Sequence, residues 1–504
     1  MALILAIGIA INRTDLWRDE IQSLNMTTRS WSEMWSSLRV DTFPPGFTII
    51  AKPWISIFGS DTISLRTLVA VLMTFCLGWC WWITWRWSRH PPIFAILLIG
   101  LLPYSTVALM NFRPHILDVL TVLILVGCLW ELLRQPSWRW AMVTGLAFSA
   151  SGYASYPNFA LSSVVLLITA AFLLGQKNKR VRVIVLMIWL GGLVTSAPLW
   201  PIVRSIRNWS FFMSDITASW PSRLAEIINS QELTYLFVLL IGGLSLILWR
   251  ILRVRQLIDE DKLHRLVCLA VIICVGYLAV DIATRLVTHE SAFRYYLPLF
   301  GLGAIFVDLL LIEMGPLVNS ARGMVAIIAW SSMAVTAWLL VLTPMTNVPT
   351  TVRAMTPLIQ SHDVILVNPW YLGTAIKHAD AGNQPIVTFP PVSDLSLARF
   401  DLVQNSWHDP AALNYVYNLV HLTLTTHGTV WYISYVLPLP PADSATPPRK
   451  TAGENVSNRQ AFWGQDLEGF LLVHAGQKQL QPFPGMNDGL DENIKVTKLA
   501  DWID

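Results

Sequence analysis

The sequence predicts an α-helical polytopic membrane protein with a soluble α/β domain at its C-terminal end. Of its 504 residues, 54% are hydrophobic and only 13% are charged, whereas an average soluble domain carries about 25% charged residues. Apolar segments long enough to cross a bilayer recur along the first two thirds of the chain, and after residue 342 they shorten to strand length. A soluble globular protein is therefore excluded.

The long apolar segments predict the membrane-spanning helices. A helix needs about 20 mostly apolar residues to cross ~30 Å of hydrocarbon, because every backbone polar group must be satisfied within the helix. We predict about eleven spans, at residues 2–11, 64–85, 91–110, 116–133, 138–153, 160–175, 181–200, 233–251, 266–284, 296–312 and 324–342. The first of these is short, which suggests a start further upstream, with a cleaved signal peptide as the alternative.

Basic residues predict the orientation of these spans. They gather in alternate loops, at Arg86 and Arg89, at Arg134 and Arg139, and within residues 177–182 and 250–265. Cytoplasmic loops carry the excess of lysine and arginine. We therefore expect the N-terminus on the cytoplasmic side of the cytoplasmic membrane. Both the loop 12–63 and everything after residue 342 are expected on the outer side.

The two outer regions differ in pattern. Loop 12–63 contains two amphipathic stretches, 21–34 and 45–58, which predict helices lying along the membrane surface, with Phe43 and Phe47 among the aromatic residues at headgroup depth. Residues 344–504 alternate short apolar runs (364–367, 385–388 and 429–435) with helix-like stretches such as 411–425. They predict an extracytoplasmic α/β domain following a membrane domain at residues 1–343.

An acidic pair follows directly on the first predicted span. Asp19 and Glu20 would lie at the outer membrane surface, where carboxylates can act as a base or hold a cation. The alternative is a solvated helix start, because the positive end of a helix dipole also favours acidic residues.

Three further outer segments carry polar residues at the ends of spans. Residues 41–47 (Asp-Thr-Phe-Pro-Pro-Gly-Phe) lie in the same loop as the acidic pair and stiffen the entry to its second helix. Two turns, 111–118 and 289–298, concentrate ionisable side chains at the outer surface, where such residues indicate function. Their candidate residues are Arg113, His115, Asp118, His289, Glu290, Arg294 and Tyr295.

These four segments, in this order, resemble the GT-C glycosyltransferases of the RgtA/B/C/D-like, protein O-mannosyltransferase and aminoarabinose-transferase group. Members typically show an acidic pair after the first span, a Pro-Pro motif, an Arg-Pro-aromatic turn, in which His115 stands here in place of the usual tyrosine, and an Arg-Tyr-Leu-Leu-Pro-like turn, in which Tyr296 interrupts the Leu-Leu. The resemblance runs from about residue 16 to about residue 311. It implies a GT-C fold and transfer of a sugar from a polyprenyl-phosphate donor to an acceptor hydroxyl at the outer face of the membrane.

The resemblance also implies roles for individual residues. Asp19 would deprotonate the acceptor, and Glu20 would orient it or bind a cation. Arg113 and Arg294 would hold the donor phosphate, because a guanidinium offers two parallel donors and stays charged. Further candidates for phosphate or sugar contacts are Lys52, His115, His289 and Tyr295.

Several alternatives stay open at the level of sequence. A transporter or flippase of lipid-linked sugars would also combine many spans with ionisable residues. A non-catalytic envelope-assembly subunit could keep the same fold. A divalent cation is not required by the residue types present, but Glu20, His289 and Glu290 could hold one. The expected partners are the lipid-linked donor, a lipid, glycan or protein acceptor, and membrane lipids, with no sign of nucleic-acid binding.

Overall fold

The structure is a computed structural model that describes residues 15–40, 43–100, 109–173, 179–210, 260–287, 293–313, 322–324, 327, 331, 345–379, 384–407, 409–435, 456–481, 483 and 492–503. Its helices are α1 (Arg18–Thr28), α2 (Trp31–Ser37), α3 (Gly46–Phe58), α4 (Thr62–Ser88), α5 (Ile93–Gly100), α6 (His115–Arg134), α7 (Trp138–Ala154), α8 (Tyr156–Phe172), α9 (Lys179–Ser196), α10 (Trp200–Ser210), α11 (Glu260–Val287), α12 (Leu297–Glu313), α13 (Val348–Met355), α14 (Leu372–His378), α15 (Phe400–Trp407), α16 (Pro410–Thr425) and α17 (Val456–His474). Its strands are β1 (Val364–Val367), β2 (Ile386–Thr388), β3 (Val430–Tyr435), β4 (Ala475–Gln481) and β5 (Ile494–Trp502).

The chain divides into two compact units. Unit 1 comprises Met1–Asn12, Thr42–Arg204 and Thr217–Leu342, and unit 2 comprises Arg13–Asp41, Ser205–Ile216 and Thr343–Asp504. Residues 13–41, which contain the acidic pair, thus belong to the same unit as the C-terminal region. The predicted domain boundary between residues 343 and 344 stays a prediction.

Unit 1 contains the apolar helices. Within the described residues, five helices are long and apolar enough to cross a membrane: Thr62–Ser88, His115–Arg134, Lys179–Ser205, Leu263–Thr284 and Arg294–Glu313. Helices α7 and α8 occupy two further predicted spans. The spans at 2–11 and 233–251 lie outside the described residues, and those at 91–110 and 324–342 lie partly outside them. The total of eleven therefore stays a prediction.

Polar groups buried among these helices are paired with one another. The Asp308 carboxylate accepts a hydrogen bond from the Arg322 guanidinium at 2.9 Å and another from the Ala95 amide at 2.7 Å. The Tyr296 hydroxyl donates to the Asp281 carboxylate at 3.0 Å. Because a charge buried in an apolar region is costly unless it is paired, these contacts explain how the two aspartates fit into apolar helices.

The first predicted surface helix is broken in two. The chain leaves the helical conformation between α1 and α2. There the Ser30 side chain accepts a hydrogen bond from the Glu33 amide, and the Ser30 amide donates one to the Glu33 carboxylate at 2.9 Å. This capping box begins a new helix at residue 31. Phe43 and Phe47, which are predicted at headgroup depth, have rings buried against other side chains of unit 1, and their depth in the membrane stays a prediction.

A five-stranded sheet in the order β2-β1-β3-β5-β4 forms the centre of unit 2. Strand β1 pairs in parallel with β2 and β3, whereas β5 pairs antiparallel with β3 and β4. Helices α16 and α17 pack their apolar residues, such as Val416 and Leu467, against Leu366 and Val430 of the sheet. The short predicted runs at 364–367, 385–388 and 429–435 are confirmed as strands.

Polar contacts attach α1 to the C-terminal part of unit 2. The Asn25 side chain donates to the Ser396 carbonyl at 2.7 Å, and Arg29 donates to the Ser396 hydroxyl at 2.6 Å. Arg29 also lies 4.0 Å from the Asp394 carboxylate. The helix that begins with the acidic pair is therefore fixed by residues more than 360 positions away in sequence.

Candidate active site

The acidic pair lies in the first turn of α1, and both of its side chains are buried. Asp19 is 8% exposed and Glu20 is 0% exposed. The Glu20 carboxylate accepts a hydrogen bond from the Trp17 amide at 3.3 Å, which caps the helix start. The pair does begin a helix, as expected for a solvated helix start, but its side chains are buried and not solvated.

Arg18 lies beside Asp19 and binds it. The Arg18 Nε donates to Asp19 Oδ1 at 3.0 Å, and the guanidinium carbon lies 4.5 Å from the centroid of the Tyr371 ring. Burial opposes the charge on Arg18, but the carboxylates of Asp19 and Glu492 outweigh it and raise the pKa of Arg18 above its ordinary value. Arg18 thus remains a fixed cation that orients the Asp19 carboxylate.

Glu492 completes this group and was not among the residues predicted from sequence. Its carboxylate accepts a hydrogen bond from the Arg18 backbone amide at 3.2 Å and lies 3.8 Å from the Arg18 Nε. The side chain is 1% exposed. Burial raises the pKa of Glu492 to about 7, although Arg18 acts in the opposite direction.

A second group of candidates lies in unit 1, around the ring of Phe43. The Arg113 guanidinium carbon is 4.8 Å from the centroid of that ring. The His115 ring meets it edge-on at 5.4 Å, and the Tyr295 ring is 6.4 Å away. The structure therefore brings Arg113 and His115 of one turn together with Tyr295 of another. All three lie around Phe43 of the first outer loop.

The turn that carries Arg113 is well defined by its neighbours. Its amide donates to the Asn111 carbonyl at 2.7 Å, and Pro114 precedes the first turn of α6. Arg113 and His115 are both buried. The His115 Nδ1 lies 4.0 Å from the Asp118 carboxylate one turn further along α6, so Asp118 faces the histidine.

The remaining candidates occupy different positions. Arg294 lies in the short 3-10 helix Phe293–Tyr296, half-buried, with its guanidinium carbon 5.5 Å from the Tyr295 ring. Lys52 lies half-buried on α3. His289 and Glu290 fall outside the described residues. In the part of the chain that is described, no three His, Cys, Asp or Glu side chains lie close enough together to hold a metal ion.

The candidates thus form two groups in two units. Asp19 and Glu20 belong to unit 2, with Arg18 and Glu492. The basic and aromatic candidates belong to unit 1: Lys52, Arg113, His115, Arg294 and Tyr295. The first group offers carboxylates and the second offers cations and rings, which are the residue types that a base and a phosphate-binding site need.

Comparison with known proteins places the fold. No protein-family model and no curated protein sequence matches the chain. The crystal structure of ArnT from Cupriavidus metallidurans bound to undecaprenyl phosphate matches with a TM-score of 0.53 and 12% identity, over 89% of this chain and 94% of that one. Its apo form matches with a TM-score of 0.52 and 12% identity, over 86% and 91%.

A weaker likeness extends to the archaeal oligosaccharyltransferase AglB from Archaeoglobus fulgidus, in complex with an inhibitory peptide and a dolichol-phosphate. It has a TM-score of 0.44 and 10% identity, over 86% of this chain and 69% of that one. The likeness to ArnT spans nearly the whole of both chains. It confirms the resemblance to the GT-C group at the level of the fold.

Proposed function

We propose that this protein is a membrane glycosyltransferase that moves a sugar from a polyprenyl-phosphate donor to an acceptor hydroxyl at the outer face of the cytoplasmic membrane. The observation that carries the proposal is the convergence of Arg113, His115 and Tyr295 on Phe43, at one end of the helices of unit 1. Their sequence segments are those that resemble the GT-C motifs, and the fold likeness to ArnT is consistent with them. The acceptor is a glycolipid, an envelope glycan or a protein.

In the proposed reaction the acceptor oxygen attacks the anomeric carbon of the sugar. The bond from that carbon to the phosphate oxygen breaks, and its electron pair leaves with the polyprenyl phosphate. Asp19 takes the proton of the acceptor hydroxyl, and Arg18 orients its carboxylate at 3.0 Å. Arg113 and Arg294 stabilise the negative charge of the leaving phosphate.

Glu20 has a different part in the proposal. Its carboxylate caps the Trp17 amide at the start of α1. It therefore holds the turn that presents Asp19, in addition to the acceptor or cation contact that the family resemblance implies.

The proposal is tested with the purified full-length protein, a labelled polyprenyl-phosphate sugar and membrane acceptors. Asp19→Asn should lower the transfer rate by roughly 10²–10⁴-fold, the contribution of a positioned base. Asp15→Asn is the matched control, because Asp15 pairs only at 3.3 Å with the exposed Arg353 and should keep its activity. Full activity of Asp19→Asn at a normal level of folded protein would remove Asp19 from the mechanism.

The basic residues are tested in the same assay. Arg113→Ala and Arg294→Ala should each lose most of the transfer activity, because a leaving phosphate would lack its partner. Arg139→Ala is the control, since Arg139 is an exposed arginine in the first turn of α7, beyond the end of α6 that is far from Arg113. If the labelled donor crosses the bilayer and is not consumed, the protein is a flippase and not an enzyme.

A further inference from the structure

A cavity lies at the end of unit 1 opposite to Arg113. It has a volume of about 220 Å³ and is lined by the last turns of α4, α6 and α8, the first turns of α11 and the second half of α12. Helix α6 runs from His115 to Arg134 and is 20 residues long. At ~1.5 Å per residue this places Arg134, at the basic side of the cavity, about 30 Å from Arg113 along the helix, the thickness of a bilayer core.

The cavity is apolar inside and basic at one side. Leucine, isoleucine and valine side chains line its interior, together with Trp87 and Trp130. Arg134, His264 and Arg265 also line it. The Arg134 side chain is 40% exposed, so its guanidinium is open to the surroundings as well as to the cavity.

The aromatic and basic residues are held in place by each other. The Trp87 and Trp130 rings stack with their centroids 3.7 Å apart. The Arg265 guanidinium carbon lies 4.5 Å from the Trp130 ring centroid on the other helix. Glu131, the acidic residue beside them, accepts two hydrogen bonds from Arg86 at 2.9 Å. Glu131 also lies 3.7 Å from the Arg134 guanidinium. Two arginines therefore share one carboxylate, and Arg265 adds a further positive charge.

We propose that this cavity binds an anionic phospholipid, with the phosphate at Arg134 and Arg265 and part of an acyl chain in the apolar interior. Basic pockets between membrane helices at the cytoplasmic side bind anionic headgroups, and tryptophan is favoured at the level of the headgroups. The positive-inside pattern predicts the cytoplasmic side for this end of the helices. A bound lipid would join α4, α6, α8 and α11, independently of the proposed reaction.

Two native cysteines on α11 provide the test. Cys268 lines the cavity, whereas Cys274 lies outside it and is exposed. The full-length protein is placed in nanodiscs of phosphatidylcholine alone or with phosphatidylglycerol, and labelling by a hydrophobic maleimide is measured for each cysteine by peptide mass spectrometry. Phosphatidylglycerol should slow the labelling of Cys268 several-fold and leave Cys274 unchanged.

Variants separate a bound lipid from general attraction to a charged membrane. Arg265→Gln and Arg134→Gln should each lose the protection of Cys268. Arg139→Gln should keep it, because Arg139 lies in the first turn of α7 and does not line the cavity. Unchanged labelling of Cys274 shows that a variant is folded.

Three results would overturn the proposal. The first is equal labelling of Cys268 in both bilayers, and the second is an equal loss of protection in Arg139→Gln. The third is protection by inorganic phosphate alone in phosphatidylcholine nanodiscs, which would mean that the site recognises a free anion and not a lipid.

Discussion

Replacing Glu492 with glutamine should remove a pH-dependent part of the stability of unit 2. Burial raises the pKa of Glu492 from 4.5 to about 7, so the folded state holds a proton that the unfolded state has already released. This contribution to stability is complete below the unfolded pKa and is lost as the pH rises through the folded one. Between about pH 5.5 and about pH 8 the loss amounts to about 2 kcal/mol, or roughly 25-fold in the folding equilibrium.

Glutamine keeps an oxygen that can accept the hydrogen bond from the Arg18 backbone amide, but it carries no titrating proton. Hydrogen exchange of the backbone amides in α1 and β5 measures the effect, with wild type and variant compared at the same pH so that the intrinsic exchange rates cancel. The protection of wild type relative to Glu492→Gln should fall by roughly 25-fold between the two pH values. Glu33→Gln, at the exposed capping box of α2, is the control and should show no such trend. A ratio for Glu492→Gln that is the same at both pH values would refute the reasoning.

Two predictions concern packing and charge in unit 1. A Cβ on Gly192 would collide with the Phe148 ring, whereas one on Gly191 meets no atom within 4 Å. Gly192→Ala should therefore lower the free energy of unfolding by about 1–3 kcal/mol. Gly191→Ala should leave it unchanged or raise it slightly. Thermal inactivation of both proteins in detergent would show this difference, and equal behaviour would contradict it. Asp308→Ala or Arg322→Ala should each lower the free energy of unfolding by about 3–5 kcal/mol, because each leaves a buried charge unpaired. The double variant should lose less than the sum of the two, which a double-mutant cycle measures. An additive result would mean that the two residues do not interact.

The elements set by local pattern could be predicted from the sequence. Long apolar runs specify helices such as α4 and α6 to within a few residues, because burial in an apolar medium requires a continuous helix. Short runs rich in valine, isoleucine and tyrosine specify β1 and β3. The break between α1 and α2 could also have been predicted, since Ser30 followed by Glu33 is a capping-box pattern.

Contacts between distant segments could not be predicted in this way. Strand β4 is polar and mostly exposed, so it lacks the alternation that indicates a strand. Glu492 looks like any acidic residue of the tail, and its importance comes from its contact with Arg18, 474 positions away. The contacts of Phe43 with Arg113, His115 and Tyr295 likewise join segments that are far apart in sequence, and the preference of aromatic residues for the headgroup region does not predict them.

The acidic pair has a more specific arrangement than its sequence indicates. Its two carboxylates have different partners: Glu20 caps its own helix, and Asp19 binds Arg18. Arg18 in turn is bound by Glu492, so the position of Asp19 depends on a residue from the end of the chain. If Asp19 is the base of the proposed reaction, the C-terminal region of unit 2 positions that base, and a change at Glu492 should affect transfer through Asp19 without touching the substrate.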